Sequence, residues 1–412
     1  MILFIGLAYM VRPFVTNKRT RKYFFPALII RLFGAIALGM IYQFYYGGGD
    51  TFNYFLHGSA HIWEALNEDF TAGISLILHS GGEHPTDSSY IYSSRIWYFR
   101  DPKSYLIVRL VALFDIFTFH TYSATALFFA AFSFSGSWAM YTAVQKLYPN
   151  ARRIPLAILF IPSVVFWGSG ILKDTITLGA LGWVTWAFLN IVVLNRLRTL
   201  SIMIGLLNAI LILKVKSYIL LCFVPVVFLF LYFNYSKKVK NLAIKIIIAP
   251  FILLLFGALG IMATFYASTD EYNIDNVAER AAITSNDIKQ GWGRGAGGTY
   301  DIGTLDGSWG SMISLAPKAI IVSIFRPFIW EVSNPLMLLA AMESLVFLIL
   351  LVKLVLKGKF RNQLKDPFLV FCLVFTLLFS FAVGISTGNF GTLMRYKIPM
   401  MPFLGVFLLK NR

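Results

Sequence analysis

Six basic and three acidic side chains stand where long apolar runs of the chain end. A cation at membrane depth costs roughly 2.5–3.5 kcal/mol on insertion scales, so such residues usually mark function. Arginine forms bidentate hydrogen bonds to phosphate, and lysine supplies a mobile point charge. The six cations therefore predict a site for a lipid-linked phosphate or pyrophosphate, with anionic phospholipid binding alone as the alternative. The cations, termed the cationic rim, are Lys173, Lys214, Lys216, Arg326, Arg395 and Lys397, and the acids are Asp50, Asp174 and Glu331.

Asp50 follows three glycines in the stretch YYGGGDTFNY, directly after an apolar run. Glycines at 47–49 let the backbone turn sharply or approach a ligand closely. A carboxylate in that position is our candidate catalytic residue. The structural alternative is a helix that ends at the glycines, followed by a helix that Asp50 or Thr51 caps. The two interpretations are compatible.

Two of the rim sites also have simpler explanations. Lys173 and Asp174 close the stretch FIPSVVFWGSGILKDT, where a Lys–Asp pair could be an interfacial anchor. Arg326 and Glu331 lie five residues apart in FRPFIWE and could form an internal ion pair. The surrounding aromatic residues and glycines favour a binding site at 173–174, while the internal pair stays open at 326–331.

A group of histidines raises the question of a metal. His57 and His61 are four residues apart, and Glu64 follows one turn later, so the three would share a helix face. That spacing could hold a divalent metal. The HExxH glutamate is missing, however, and the stretch FNYFLHGSAHIWEAL equally predicts an amphipathic helix lying on the membrane. We therefore expect no cofactor, with a metal at these residues as the less favoured interpretation.

The whole chain has the composition of a membrane protein. Its 412 residues are 58% hydrophobic and 13% charged, with a mean hydropathy of +0.71, whereas soluble domains carry about 25% charged residues. A net charge of +17 would suggest nucleic acid as a partner of a soluble protein. Here most of the excess follows the positive-inside rule. The sequence predicts an all-α, polytopic transmembrane helix bundle, one integral domain over residues 1–412, with the lipid bilayer and no nucleic acid as partner.

Short basic stretches and apolar segments alternate along the chain and predict its topology. About eleven spans follow, with the C-terminus in the cytoplasm. Residues 46–103 then form a first outer loop with an amphipathic helix, and 267–316 form a Gly-rich acidic outer loop. Segments 104–119 and 315–330 are predicted to be re-entrant or interfacial, because broken segments need cover by protein or water. The basic stretches are 18–22, 146–153, 196–198, 237–245 and 353–365. The apolar segments are 1–16, 24–45, 122–143, 154–170, 175–194, 199–213, 217–233, 246–266, 335–352, 367–385 and 398–410.

Three blocks of the sequence, PSVVFWGSGILKD, FRPFIWE and NFGTLMRYKIPMMPF, resemble a known group of proteins. They look like blocks of polytopic membrane proteins from exopolysaccharide and O-antigen clusters, which are regarded as repeat-unit polymerases. An aspartate after an early span is also similar to the GT-C glycosyltransferases, which use polyprenyl-phosphate donors. The resemblance implies that Asp50 is the general base and that Arg326 and Arg395 hold the pyrophosphate. Thr51 stands where a second acid is common in that family.

The rim and the resemblance together predict a glycosyltransferase or polysaccharide polymerase. It would use polyprenyl-(pyro)phosphate-linked sugars at the periplasmic face of a bacterial inner membrane. Asp50 would deprotonate the acceptor hydroxyl, and the cations would stabilise charge on the departing phosphate. Two other classes stay open. One is a transporter or flippase for lipid-linked glycans, and the other is a non-catalytic envelope scaffold that docks partners through residues 267–316.

Overall fold

The structure, a computed structural model, describes residues 1–194, 198–236, 279, 282–285 and 298–410. Over these ranges the chain is helical, and its one pairing of extended residues is an isolated antiparallel bridge between Thr299 and Asn389. The all-helical class predicted from the apolar runs is confirmed.

The helices named below are numbered in chain order. They are α1 (Ile2–Val15), α2 (Arg21–Met40), α3 (Asp50–Tyr54), α4 (Ala60–Glu68), α5 (Phe70–Leu78), α6 (Tyr90–Ser93), α7 (Pro102–Thr118), α8 (Tyr122–Leu147), α9 (Ile154–Ile158), α10 (Pro162–Trp167), α11 (Lys173–Phe188), α12 (Arg198–Lys216), α13 (Tyr218–Ser236), α14 (Trp309–Ser314), α15 (Ala316–Phe325), α16 (Pro335–Leu356), α17 (Phe360–Gln363), α18 (Pro367–Ser386), α19 (Phe390–Tyr396) and α20 (Met401–Leu409). π-Helical turns at Ile41–Tyr45, Phe55–Ser59 and Leu189–Val193 extend α2, join α3 to α4 and extend α11.

Within the described ranges, six helices are long and apolar enough to cross a membrane. A hydrocarbon core requires about 20 predominantly apolar residues, and each of these helices has at least 18. The finding fits a multi-pass membrane protein. The six are Arg21–Tyr45, Tyr122–Leu147, Lys173–Val193, Thr199–Lys216, Pro335–Leu356 and Pro367–Ser386.

The predicted count of about eleven spans is not confirmed. Segment 154–170 is divided between the short helices α9 and α10, because Pro162 starts a new helix and Gly168 and Gly170 follow its end. Segment 398–410 contains only the nine residues of α20. The predicted span 246–266, the basic stretch 237–245 and much of the loop 267–316 lie outside the described residues.

The chain divides into two compact units. Unit 1 comprises residues 1–147 and 164–216, and unit 2 comprises 148–163 and 217–412. In unit 1, α8 and α11 pack closely through Gly136, Gly179 and Gly182. A Cβ on Gly136 would collide with the carbonyl oxygen of Gly179, and one on Gly182 would collide with that of Gly136. Small residues of this kind let membrane helices approach closely.

Arg31 of α2 holds the segment that leads to Lys173. The Arg31 side chain is fully buried in unit 1, and its guanidinium donates to the carbonyl oxygens of Val164 at 2.8 Å and Gly168 at 3.3 Å. The hydroxyls of Ser133 and Ser137 accept two further hydrogen bonds at 3.4 and 3.2 Å. A cation at these carbonyls satisfies groups that the end of a helix leaves open. The short α10 is therefore fixed at its C-terminal end.

Unit 2 combines a close helix contact with an aromatic core. A Cβ on Gly384 of α18 would collide with the carbonyl oxygen of Ala319 in α15. Phe223, Phe375 and Phe403 contact one another, with ring centres 4.6 to 6.3 Å apart. Aromatic packing of this kind joins α13, α18 and α20.

Candidate functional site

The turn that carries Asp50 depends on its glycines. Residues 47, 48 and 49 have φ angles of 70°, 135° and 126°, which side chains with a Cβ rarely adopt. A Cβ on Gly49 would also lie 2.7 Å from the ring of Tyr42. Helix α3 begins at Asp50 with Gly49 as its N-cap, while the Thr51 hydroxyl lies 2.6 Å from that of Tyr122. The predicted helix boundary is present, neither Asp50 nor Thr51 is the N-cap residue, and the half-buried Asp50 stays partly accessible.

An aromatic cluster in unit 1 joins the Asp50 turn to the Lys173 segment. Its buried core is Leu38, Tyr42 and Leu172, against which pack the partly buried Tyr46, Phe52, Phe166 and Trp167. Residues 46 and 52 flank the turn, and residue 172 directly precedes Lys173. The structure therefore brings the candidate catalytic carboxylate and the Lys173–Asp174 pair to one region of unit 1.

Lys173 and Lys216, the two lysines of this region that are shielded from solvent, both have carboxylate partners. Lys173 Nζ lies 3.4 Å from Asp101 Oδ2. Lys216 Nζ lies 2.5 Å from Asp174 Oδ1, and both side chains are buried, at 9% and 1% exposure. The acid beside Lys173 in the sequence thus pairs with Lys216, and Lys173 pairs with an acid that precedes it by 72 residues.

Asp101 is held ionised by its surroundings. Burial raises the pKa of its carboxyl group, but the charge of Lys173 and hydrogen bonds from Ser104 and the Lys103 amide outweigh that effect, so the pKa lies below its ordinary value. The same side chain caps α7. Asp101 was not predicted as part of the site, because an acid far away in sequence carries no local signal.

The three residues that could have held a metal are arranged differently. The ring of His57 stacks on Trp97, with 3.9 Å between ring centres. His61 Nδ1 lies 3.6 Å from Glu64 Oε2, beyond hydrogen-bond distance, and Glu64 forms an ion pair with Arg95 at 2.8 Å. Among the described residues, no group of three His, Cys, Asp or Glu side chains is placed to hold a metal ion.

A histidine–aspartate pair in unit 1 was not predicted. Asp115 of α7 is fully buried, and its Oδ2 lies 2.8 Å from His120 Nδ1. The hydroxyls of Ser59 and Thr125 each donate to the same carboxylate at 2.8 Å. The imidazole stacks on the ring of Phe55 at 4.1 Å. The available signal was an acid five residues before a histidine at the end of an apolar helix, but that spacing alone is not diagnostic.

In unit 2, the internal pair that the sequence left open is present. Arg326 Nε donates to Glu331 Oε2 at 3.0 Å, and a second, short bond joins Nη2 to Oε1. The guanidinium also lies over the rings of Tyr300 and Phe390, at 5.5 and 5.1 Å. Burial raises the pKa of Glu331, but its bonds from Arg326 and the Phe328 amide outweigh that effect and lower the pKa.

Lys397 and Glu343 are two buried ionisable residues of unit 2. Lys397 is fully buried, and its Nζ donates to the Ser344 hydroxyl at 3.2 Å. The carboxylate of Glu343 accepts from the amide and the hydroxyl of Ser163, at 2.7 and 2.6 Å. Among the described residues, no acid forms an ion pair with Lys397 in the way that Asp174 does with Lys216.

The two remaining rim cations are more accessible. Arg395 is half-buried, with its guanidinium 5.9 Å from the ring centre of Tyr396. Lys214 is exposed in the last turn of α12. Among the described residues, Lys173, Lys216 and Arg326 of the rim lie beside carboxylate partners. A role of the rim in phosphate binding stays a prediction.

Comparison with protein-family models, curated proteins and solved structures finds no match to this chain. The proposal for its function therefore rests on the side chains described above and on the resemblance of the three sequence blocks.

Proposed function

We propose that the protein is a membrane glycosyltransferase or polysaccharide polymerase. It transfers sugar from a polyprenyl-(pyro)phosphate-linked donor at the periplasmic face of a bacterial inner membrane. The donor class follows from the cationic rim and from the resemblance to GT-C enzymes and repeat-unit polymerases.

One observation carries the proposal. In unit 1 a single aromatic cluster contains residues on both sides of a half-buried carboxylate, Asp50, and the residue directly before a lysine, Lys173. Such a reaction needs a group that handles the acceptor proton, a cation for the leaving phosphate and apolar surface for the sugar ring. Aromatic rings supply that surface and keep it rigid. The glycine turn and the Arg31 contacts fix the two segments that carry these groups.

In the proposed reaction, the oxygen of an acceptor hydroxyl attacks the anomeric carbon of the donor sugar. The bond from that carbon to the phosphate oxygen breaks, and the phosphate leaves with the electron pair. Lys173 stabilises the charge that develops on the phosphate, which is the largest electrostatic contribution expected in such a step. Asp50 is the catalytic carboxylate, and in the enzymes that the chain resembles it is the general base.

The resemblance also assigns the pyrophosphate to Arg326 and Arg395, both in unit 2. Arg326 is neutralised by Glu331, so binding of a phosphate there must compete with an internal pair. The resemblance predicts that Arg395→Ala and Arg326→Ala both weaken donor binding. The measurement is the KM for a polyprenyl-phosphate sugar with each purified variant.

The direct test is Asp50→Asn. We expect transfer from a polyprenyl-phosphate sugar to fall about 100-fold or more, because the amide can neither accept the proton nor carry the charge. Surface glycan, examined by gel, should be lost in cells that carry the variant. Asp87→Asn is the matched control, since Asp87 is an exposed acid of the same stretch, 46–103.

Unchanged transfer by Asp50→Asn, at normal expression and with Asp87→Asn also active, would contradict the catalytic role. A flippase is distinguished from a glycosyltransferase by assaying the purified protein in detergent, where no gradient exists. Product formation there requires an enzyme, whereas movement of glycan across liposomes without product would favour the transporter.

A further inference from the structure

The contacts of Asp115 determine which ring nitrogen of His120 carries the hydrogen. An ionised carboxylate can only accept hydrogen bonds, so the His120 nitrogen beside it, Nδ1, carries a hydrogen. In the neutral imidazole the other nitrogen, Nε2, then holds a free lone pair. Nε2 has no hydrogen-bond partner in the part of the chain that the structure describes. The side chain of His120 is 19% exposed, whereas that of Asp115 is fully buried.

The pair is fixed from several elements. Ser59 from the π-helical turn and Thr125 from α8 hold the carboxylate, and Thr118 of α7 bonds the Thr125 hydroxyl at 2.7 Å. The Phe55 ring lies parallel to the imidazole, and the half-buried Trp63 lies nearly parallel to it, 6.2 Å away. The imidazole is therefore oriented before any ligand binds.

The backbone at this point is strained. Phe119 and His120 have φ angles of 51° and 52°. Non-glycine residues in that region are strained, and such residues cluster at functional sites. Phe119 ends α7 in the left-handed conformation that is common at helix C-termini, and His120 continues in the same conformation. The turn thereby holds the imidazole over Phe55.

We propose that His120, oriented by Asp115, is a catalytic residue of unit 1 whose Nε2 accepts the proton of a sugar hydroxyl. The substrate class rests on the proposed function. The acceptor hydroxyl gives its proton to Nε2, and its oxygen uses the electron pair of the O–H bond to bond to the anomeric carbon. The bond from the anomeric carbon to the phosphate oxygen breaks, and its electron pair leaves with the phosphate. His120 becomes an imidazolium beside the Asp115 carboxylate. This assignment replaces Asp50, the general base that the resemblance implies, as the acceptor of that proton. Asp50 instead stabilises the positive charge that develops on the donor sugar in an oxocarbenium-like transition state.

His120→Asn is the sharpest variant. Asparagine places an N–H near the position of Nδ1, so the bond to Asp115 can persist, and it tolerates the left-handed backbone. Only Nε2 is lost. We expect the rate of transfer (kcat) to fall about 100-fold or more with little change in KM or melting temperature. Asp115→Asn should act through His120, since its amide would donate to Nδ1 and move the ring proton onto Nε2. A merely structural role for the pair predicts that His120→Asn stays active.

A second measurement does not depend on transfer activity. Diethyl pyrocarbonate modifies unprotonated imidazole nitrogens, and mass spectrometry of peptides gives the rate at each histidine. We expect His120 of the wild type to react faster than His57, His61, His79 and His84, and the reaction to slow in Asp115→Asn. This measurement also decides the matter should His120→Asn fail to fold.

The outcomes separate the two proposals. Loss of transfer in Asp50→Asn with full activity in His120→Asn overturns the role of His120 and leaves the proposed function intact. Full activity in Asp50→Asn, His120→Asn and Asp115→Asn overturns the proposed function. The rate of modification of His120 then tests whether the His120–Asp115 pair is an acid–base centre. Fast, Asp115-dependent modification supports an acid–base centre, whereas a rate equal to that of the other histidines overturns it.

Discussion

The two units each bury a lysine of the cationic rim, but they treat its charge differently. In unit 1, Lys216 forms a close ion pair with Asp174. In unit 2, Lys397 is bonded by the hydroxyl of Ser344, while the neighbouring Glu343 is occupied by Ser163. The two lysines were grouped because each lies at one end of an apolar run, and that pattern does not record which acid lies beside them.

The difference concerns what each charge is available for. A buried ion pair is neutral as a unit and offers little attraction to a distant anion, whereas Lys397 has a hydroxyl, not a carboxylate, as its hydrogen-bond partner. By that reasoning Lys216 contributes first to the fold of unit 1. Lys397 is the buried rim cation that we predict to bind an anionic ligand, because ions within a membrane usually mark function.

The largest expected effect comes from breaking the pair in unit 1. Asp174→Asn leaves Lys216 buried without its counter-charge, and loss of one partner of a buried pair costs about 3–5 kcal/mol. We expect low expression and a large drop in melting temperature in detergent. The double variant Asp174→Asn with Lys216→Met should recover much of the loss, because no charge then stays unpaired.

The control for that comparison is Lys214→Met, because Lys214 is exposed on the same helix, α12. Its melting temperature should match that of the wild type. Equal losses in the Asp174→Asn and the double variant would show that Asp174 stabilises the fold through contacts other than the ion pair.

A smaller effect on stability is expected at the two partly exposed ion pairs, Arg326–Glu331 and Lys173–Asp101. Glu331 binds Arg326 through both oxygens, with side chains 18% and 20% exposed, whereas Asp101 is 47% exposed beside Lys173. We expect Glu331→Gln to cost about 1.5–3 kcal/mol and Asp101→Asn about 0–1 kcal/mol. Asparagine caps helices as well as aspartate does, so Asp101→Asn leaves the cap of α7 in place.

The acid dependence of stability tests the same two pairs. Both carboxyl groups have pKa values below their ordinary ones in the folded chain. Their contribution is therefore complete above the ordinary pKa, about 4.3 for Glu and 3.9 for Asp, and is lost as the pH falls through the folded pKa. Melting temperature against pH should fall less steeply in acid for Glu331→Gln than for the wild type. A steeper fall would contradict the assignment.

The spans that the structure describes could be predicted closely from sequence. Segments 24–45, 122–143, 335–352 and 367–385 each lie within one long helix, because a membrane demands a run of apolar residues of that length. The division of segment 154–170 has a local cause, since proline and glycine interrupt helices. The short helices α9 and α20 were not predicted, because hydropathy does not distinguish a span from a short buried helix.

The site was predicted less completely, for a different physical reason. The Arg326–Glu331 pair could be anticipated because its members are close in sequence. The pairing of Lys173 with Asp101 joins the first residue of α11 to the N-cap of α7, and no local pattern encodes a contact between residues so far apart in sequence. His120 and Asp115 were both visible as residues, but a catalytic arrangement depends on the turn between α7 and α8. Two non-glycine residues of that turn have positive φ. Nothing in the sequence indicated this conformation, because the turn contains no glycine.

The smallest expected change in stability is at Lys397, and it sharpens the comparison most. Methionine matches the length of lysine and removes a buried charge whose hydrogen-bond partner is a hydroxyl. Replacing a poorly compensated buried ion by an apolar group is often neutral or stabilising. Lys397→Met should therefore leave the melting temperature unchanged or raise it, whereas Lys216→Met, which strands Asp174, lowers it. If Lys397 serves an anion, the same variant loses binding of a polyprenyl phosphate in a pull-down on lipid-coated beads. A drop in melting temperature as large as that of Lys216→Met would show that both units use their buried lysines in the same way.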